Sequence, residues 1–175
     1  ELEHQCLYFA KGELARQKEK DDKKAMEMYM KAIHITLPDF DGKNPLRNNL
    51  LTFDEIMIIN AIAILHAKAD DIMTAVQLGM WLKKYMEEKI VDGTMKIAKY
   101  PMILYNLSNW LGRENCHKEA LKMADLGIRF CIRYGNLAFF PILVFNKGGA
   151  LAELGKIDQA KKYLHQSVTI FEAMD

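Results

Sequence analysis

Pro101-Met102-Ile103-Leu104-Tyr105-Asn106-Leu107-Ser108-Asn109-Trp110-Leu111 is followed, at an offset of 40 residues, by Pro141-Ile142-Leu143-Val144-Phe145-Asn146-Lys147-Gly148-Gly149-Ala150-Leu151. A proline, an aromatic residue, an asparagine and a leucine return in the same order, at 101/141, 105/145, 106/146 and 111/151. The register continues through Ala120/Ala160, Lys122/Lys162 and Ile128/Val168. The apolar residues recur at helical spacing, and no stretch alternates like a strand. A fixed period in this range is the signature of stacked helical hairpins, because one hairpin cannot bury its apolar face alone. The expected fold is therefore all-α: a right-handed superhelical array of about four helical hairpins. Such arrays mostly serve as binding surfaces with an extended concave face.

Outward from this pair, the pattern predicts eight helices. The first two cover 2–18 and 21–36, and Pro38, Asp39, Asp41, Gly42 and Pro45 then form a long loop. Thr52-Phe53-Asp54-Glu55 has the form of a capping box, with Thr52 as N-cap and Glu55 reaching back, and should open a helix over 53–69. Asp70-Asp71 marks a tight turn, and the next helix runs to Lys89. Asp92-Gly93-Thr94 is a stop followed by a new start. The third pair covers 95–112 and 116–134, closed by Gly135 as a C′ glycine with Asn136 as the next N-cap. The fourth covers 137–154 and 157–173, broken at Gly155. Pro101 and Pro141 fall early in the first helix of their pairs, at the first turn or at a kink. Their repetition predicts the same backbone geometry twice. The chain is expected to be one repeat domain over 1–175, with repeats at 2–36, 53–89, 95–134 and 137–173.

The composition narrows the function classes. Of 175 residues half are apolar, enough for a sizeable core, and the 4 prolines and 10 glycines build no flexible linker. The 24 basic and 23 acidic residues are interleaved, so the basic stripe that duplex DNA requires is missing. Cys6, Cys116 and Cys131 share no useful spacing and read as thiols of a reducing compartment. Cys116-His117 makes a poor metal pair, since adjacent helical residues point apart. The apolar run from Ile56 to Leu65 is too short to span a bilayer and contains Asn60. No secretory signal is visible, and the expected location is cytoplasmic. The chain begins at Glu1 without Met, which leads to the expectation that the natural N-terminus lies upstream. No phosphate loop, metal cluster or nucleophile–base motif is found, and His4, His34, His66, His117 and His165 share no repeat position. The chain is not expected to be an enzyme or to need a cofactor.

The small residues of the repeat resemble those of tetratricopeptide repeats. Val144, Gly148, Leu151, Gly155, Ala160, Leu164 and Ser167 fall on that family's pattern in the last repeat. In the third repeat, Leu104 to Leu111 matches its first-helix run, and Ala120, Ala124 and Gly127 follow on the second helix. The first repeat supplies Gly12, Ala25, Tyr29 and Ala32 with one extra residue in the turn, and the second supplies Asn60, Leu65, Ala75, Gly79 and Leu82. The 40-residue period exceeds the usual length and is closer to that of HEAT-type repeats. The spacings Gly148 to Ala160 and Ser108 to Ala120 nevertheless keep the tetratricopeptide register. More narrowly, long repeats with a proline before a repeated asparagine resemble the C-terminal sensor domains of bacterial quorum-sensing transcription regulators of the Rgg/PlcR type. The resemblance implies a domain that dimerises and binds a short peptide in its groove, with a separate helix-turn-helix that this chain lacks.

Helix periodicity puts Met102, Asn106, Asn109 and Arg113 on one face, and the equivalent stripes are Ile142, Asn146, Gly149, Glu153 and Ile56, Asn60, Ala63, Ala67. By the resemblance, that face lines the groove. A carboxamide has a donor and an acceptor, so it can pair with an extended peptide backbone. Tyr105, Phe139, Phe140 and Phe145 are candidate walls for side-chain pockets. The same asparagines can instead bond a neighbouring helix, and Asn60 lies in a run apolar on all sides. Met102 and Ile142 occupy places where a carboxylate-clamping array would carry cations, so that mode is disfavoured. Two alternatives stay open: a generic protein-interaction scaffold, and the regulatory repeats of a peptide-controlled aspartyl-phosphatase. On the last helix, Leu164, Val168 and Phe171 form a stripe expected to face inward. Tyr163, Ile170 and Met174 form a second stripe, part of which a homodimer would cover.

Overall fold

A computed structural model describes residues 2–44, 46, 50–89 and 91–174. Among them are eight α-helices and no strand. The helices are α1 (Leu2–Leu14), α2 (Asp22–Ile33), α3 (Phe53–Lys68), α4 (Ile72–Glu88), α5 (Gly93–Arg113), α6 (His117–Tyr134), α7 (Phe140–Glu153) and α8 (Ile157–Met174). A π-helical turn, Ala15–Glu19, extends α1. The chain divides into two compact units, Glu1–Leu82 and Lys83–Asp175, with the boundary inside α4. No described helix is long and apolar enough to cross a membrane.

The four helix pairs share one turn. Its pivot is a left-handed residue: Lys20 (φ 59°), Asp70 (φ 65°), Asn115 (φ 58°) and Gly155 (φ 72°). In three pairs the next amide reaches back five residues, from Asp71 to His66 O (2.9 Å), Cys116 to Leu111 O (2.9 Å) and Lys156 to Leu151 O (2.9 Å). This is the bond that ends a helix in a Schellman motif. In the first pair the reach is one residue longer, from Asp21 to Ala15 O (3.0 Å). The extra residue noted in that turn is taken up by the π-helical turn. Five residues past each pivot stands an alanine, Ala25, Ala75, Ala120 or Ala160, each at most 2% exposed. At these points two helices approach too closely for a larger side chain.

Within the second unit, α7 packs on α8 at Gly148. A Cβ there would stand 2.8 Å from Leu164 Cγ and 3.1 Å from the Leu164 backbone nitrogen. In the first unit Gly12 lies against the Tyr29 ring in the same way. Ser167, buried on α8, donates to the Pro141 carbonyl at 2.8 Å. In α3 the capping box is present as expected: Glu55 N donates to Thr52 Oγ1 (3.3 Å), and Thr52 N donates to Glu55 Oε2 (2.6 Å).

Several expectations are corrected. The second helix stops at Ile33, short of residue 36, because the chain is turned into the loop that follows. That loop is fastened by Gln5 Nε2 donating to Thr36 Oγ1 (2.8 Å), by His34 against Phe40 O (2.8 Å) and by His66 against Gly42 O (3.0 Å). Pro45 lies outside the described residues. The two prolines do not share a geometry. Pro141 sits in the first turn of α7, whereas Pro101 lies well inside α5, because Asp92 caps α5 at Gly93 while α7 begins only at Phe140. Proline has no N–H to give the carbonyl one turn back, here Ile97 O. Asn136 Nδ2 donates to Ile97 O instead, at 2.7 Å. Asn136 is therefore not the N-cap of α7, a position Phe139 holds.

On α8 the inward residues are Ala160 and Ser167, with Leu164 against Gly148. Val168 (51% exposed) and Phe171 (45%) point outward, contrary to the expected inward stripe, because the small residues set the contact with α7. Met174 is exposed and Ile170 half-buried.

Candidate functional site

In the second unit, the C-terminal halves of α5 and α7 enclose a cleft of about 340 Å³. Ser108, Asn109, Gly112 and Arg113 line it from α5, and Phe145, Asn146, Gly149, Ala150 and Glu153 line it from α7. Asn115, His117 and Ala120 close it where the turn enters α6. The cleft exists because the turn at Asn115 sends α6 away behind α5 and α7, which leaves the two first helices of neighbouring pairs side by side.

The two walls are joined by side chains of the repeated motif. Asn146 Nδ2 donates to Ser108 Oγ at 2.7 Å and to the Tyr105 carbonyl at 3.3 Å. Ser108 Oγ itself donates to Tyr105 O at 2.8 Å. This network fixes one turn of α7 against one turn of α5. The next residue, Lys147, extends the anchorage. Its ammonium pairs with Asp125 of α6 at 2.6 Å and lies over the Tyr163 ring of α8, 4.2 Å from its centre. Burial pulls the Lys147 pKa down, but the bonds to Asp125 and Tyr163 outweigh it and leave the pKa raised. Behind the wall, Tyr105 stacks on Phe139 with ring centres 6.0 Å apart.

The sequence stripes meet in this cleft only in part. Asn109, Arg113, Phe145, Asn146, Gly149 and Glu153 are brought together. Asn109, Arg113 and Glu153 are exposed, and Phe145 leaves 48% of its surface open. Met102 and Ile142 are half-buried and do not line the cleft, and Asn106 is buried at 7% exposure. Asn60 belongs to the first unit and is buried in α3. Ser108, Gly112, Asn115, His117, Ala120 and Ala150 also line the cleft and lie off the stripes. Asn115 could have been found from the repeat, since it occupies the pivot that is Gly155 one period later.

Arg113 and Glu153 are the last residues of α5 and α7, so the cleft has a cation on one wall and an anion on the other at the same end. Between them stand carboxamides, a hydroxyl and one open aromatic face. Such a lining offers both hydrogen-bond donors and hydrogen-bond acceptors.

Comparison with known proteins agrees with the architecture. Residues 143–173, which comprise most of α7 and all but the last residue of α8, match the tetratricopeptide repeat family. No curated protein matches the sequence significantly. Among solved structures, the chain is similar to PlcR of Bacillus thuringiensis, crystallised in complex with the peptide PapR7 and DNA. The TM-score is 0.59 at 19% identity, covering 98% of this chain and 67% of that one. The likeness is one of fold, an all-α helical array, and the tetratricopeptide match itself is confined to residues 143–173.

Proposed function

We propose that this chain is a single repeat domain that binds a short peptide or an extended protein segment in the cleft between α5 and α7. We further propose that it is the sensor and dimerisation part of a bacterial transcription regulator whose DNA-binding domain lies outside it. The observation that carries the binding reading is the convergence of Asn109, Arg113, Phe145, Asn146 and Glu153 on one open cleft. Asn109 supplies a carboxamide for a peptide backbone, Phe145 an apolar surface for a side chain, and Arg113 and Glu153 opposite charges for its polar groups. Asn146 keeps the walls at their spacing through its donor and leaves the acceptor side of the carboxamide for the ligand. PlcR, which shares the fold, was solved with a peptide and with DNA, and this supports the regulator reading. The exposed Val168, Phe171 and Met174 on α8 support dimerisation.

The test begins by selecting binders from a phage-displayed library of random heptapeptides. The best is then synthesised with a fluorescein label and titrated by fluorescence polarisation. Asn109→Ala with Arg113→Ala should weaken its binding by about tenfold or more, with helical circular dichroism unchanged. Wild-type affinity in that double variant would place the peptide elsewhere.

A further inference from the structure

Two glycines of the cleft have no structural reason to be glycine. Gly112 on α5 and Gly149 on α7 both line it. A Cβ added at either would meet no atom within 4 Å, and neither has the positive φ that would demand glycine. Gly149 contrasts with its neighbour Gly148, where the same added atom would run into Leu164. Glycine weakens a helix relative to alanine, so each of the two positions carries a stability cost that packing does not explain. Both open onto the same space, from opposite walls.

The remaining use of a helical glycine is close approach by another backbone. A side chain could be accommodated by a deeper pocket between ordinary residues. A main chain approaches most closely where the surface carries no Cβ atoms, and it needs partners for its own N–H and C=O groups. Asn109 precedes Gly112 by one helical turn, and Asn146 precedes Gly149 by one turn, so each glycine has a carboxamide beside it. Ser108 and Asn115 add further polar atoms to the lining.

We infer that the ligand lays its extended main chain across Gly112 and Gly149, so that the cleft recognises peptide backbone first and side chains only at its rim. This inference rests on the reading of the cleft as the ligand site, and deepens it.

The probe is the labelled heptapeptide selected above, with a second version N-methylated at its central amide. Gly112→Ala and Gly149→Ala should each weaken binding by about tenfold or more, while the melting temperature stays level or rises. Gly93→Ala, an equally open glycine at the start of α5 and away from the cleft, should leave affinity unchanged. The N-methylated probe should bind more weakly than its parent. Full affinity in both cleft glycine variants, with Asn109→Ala still weakened, would overturn the backbone inference and leave the cleft reading standing. Full affinity in all three would overturn both, as would a library from which no binder is enriched. A fall in melting temperature on Gly149→Ala would show that the glycine serves packing, and would also overturn the inference.

Discussion

Asn136 shows how a single side chain can repair a fault in the backbone. Pro101 leaves the Ile97 carbonyl without its helical partner, and Asn136 supplies the missing donor from beyond the far end of α6. Asn136→Ala should leave that carbonyl unpaired and lower stability by about 1–3 kcal/mol, measured by urea unfolding. An unchanged midpoint would mean that the carbonyl is satisfied otherwise. Glu13 gives a pH-dependent counterpart. Burial raises its pKa, but hydrogen bonds from Arg16 and Tyr29, with the Arg16 charge, outweigh that and hold the carboxyl below its ordinary 4.5. A lowered folded-state pKa means stability that is present above the ordinary value and lost as pH falls through the folded one. The thermal midpoint of the wild type should therefore drop more steeply with acidification below pH 4.5 than that of Glu13→Gln. Parallel profiles would refute the assignment. Neither residue was legible in these roles. The repeat marks Pro101 and Pro141 as equivalent, but a proline's consequence depends on where its helix starts, and the caps at Asp92 and Phe139 start α5 earlier and α7 later than expected. The partners of Glu13 come from the next turn and the next helix, which no local pattern displays.

At the scale of elements, the helices of the sequence pattern are those of the structure, with shifts at their ends. Periodicity and capping residues carry that information locally: Thr52 and Glu55, and the break at Gly155, each act within one turn. The small-residue crossings were also legible, because only a small side chain fits where two helix axes approach. Ala160→Leu should overpack the α7–α8 crossing and cost about 1–3 kcal/mol, read as a lowered denaturation midpoint. A wild-type midpoint would contradict the register. The rotation of α8 was not legible. Two apolar stripes competed for the interior, and the choice was made by Ser167 bonding Pro141 O and Leu164 seating against Gly148, contacts set by α7. The cleft was half legible. Asn109, Arg113, Asn146, Gly149 and Glu153 follow the helical stripe, but Asn106 is buried, and Met102 and Ile142 are half-buried and lie nearer the N-terminal ends of their helices, outside the cleft.

At the scale of the whole molecule, the 40-residue register exposes what α8 lacks. Cys131 on α6 is fully buried, whereas Phe171, its equivalent on α8, is 45% exposed. α6 packs against both α5 and α7, whereas α8 is packed against α7. A second copy covering α8 would give a two-fold dimer that sediments as such at micromolar concentration, and Phe171→Glu should shift it to monomer. A wild type that is monomeric throughout would refute dimerisation. The central claim, that the α5–α7 cleft is where a peptide binds, is tested most directly by amide chemical-shift mapping on titration with the selected heptapeptide. The largest changes should fall on Ser108–His117 and Phe145–Glu153. Changes confined to the first unit or to the Val168–Met174 face of α8, with the cleft amides unmoved, would contradict it.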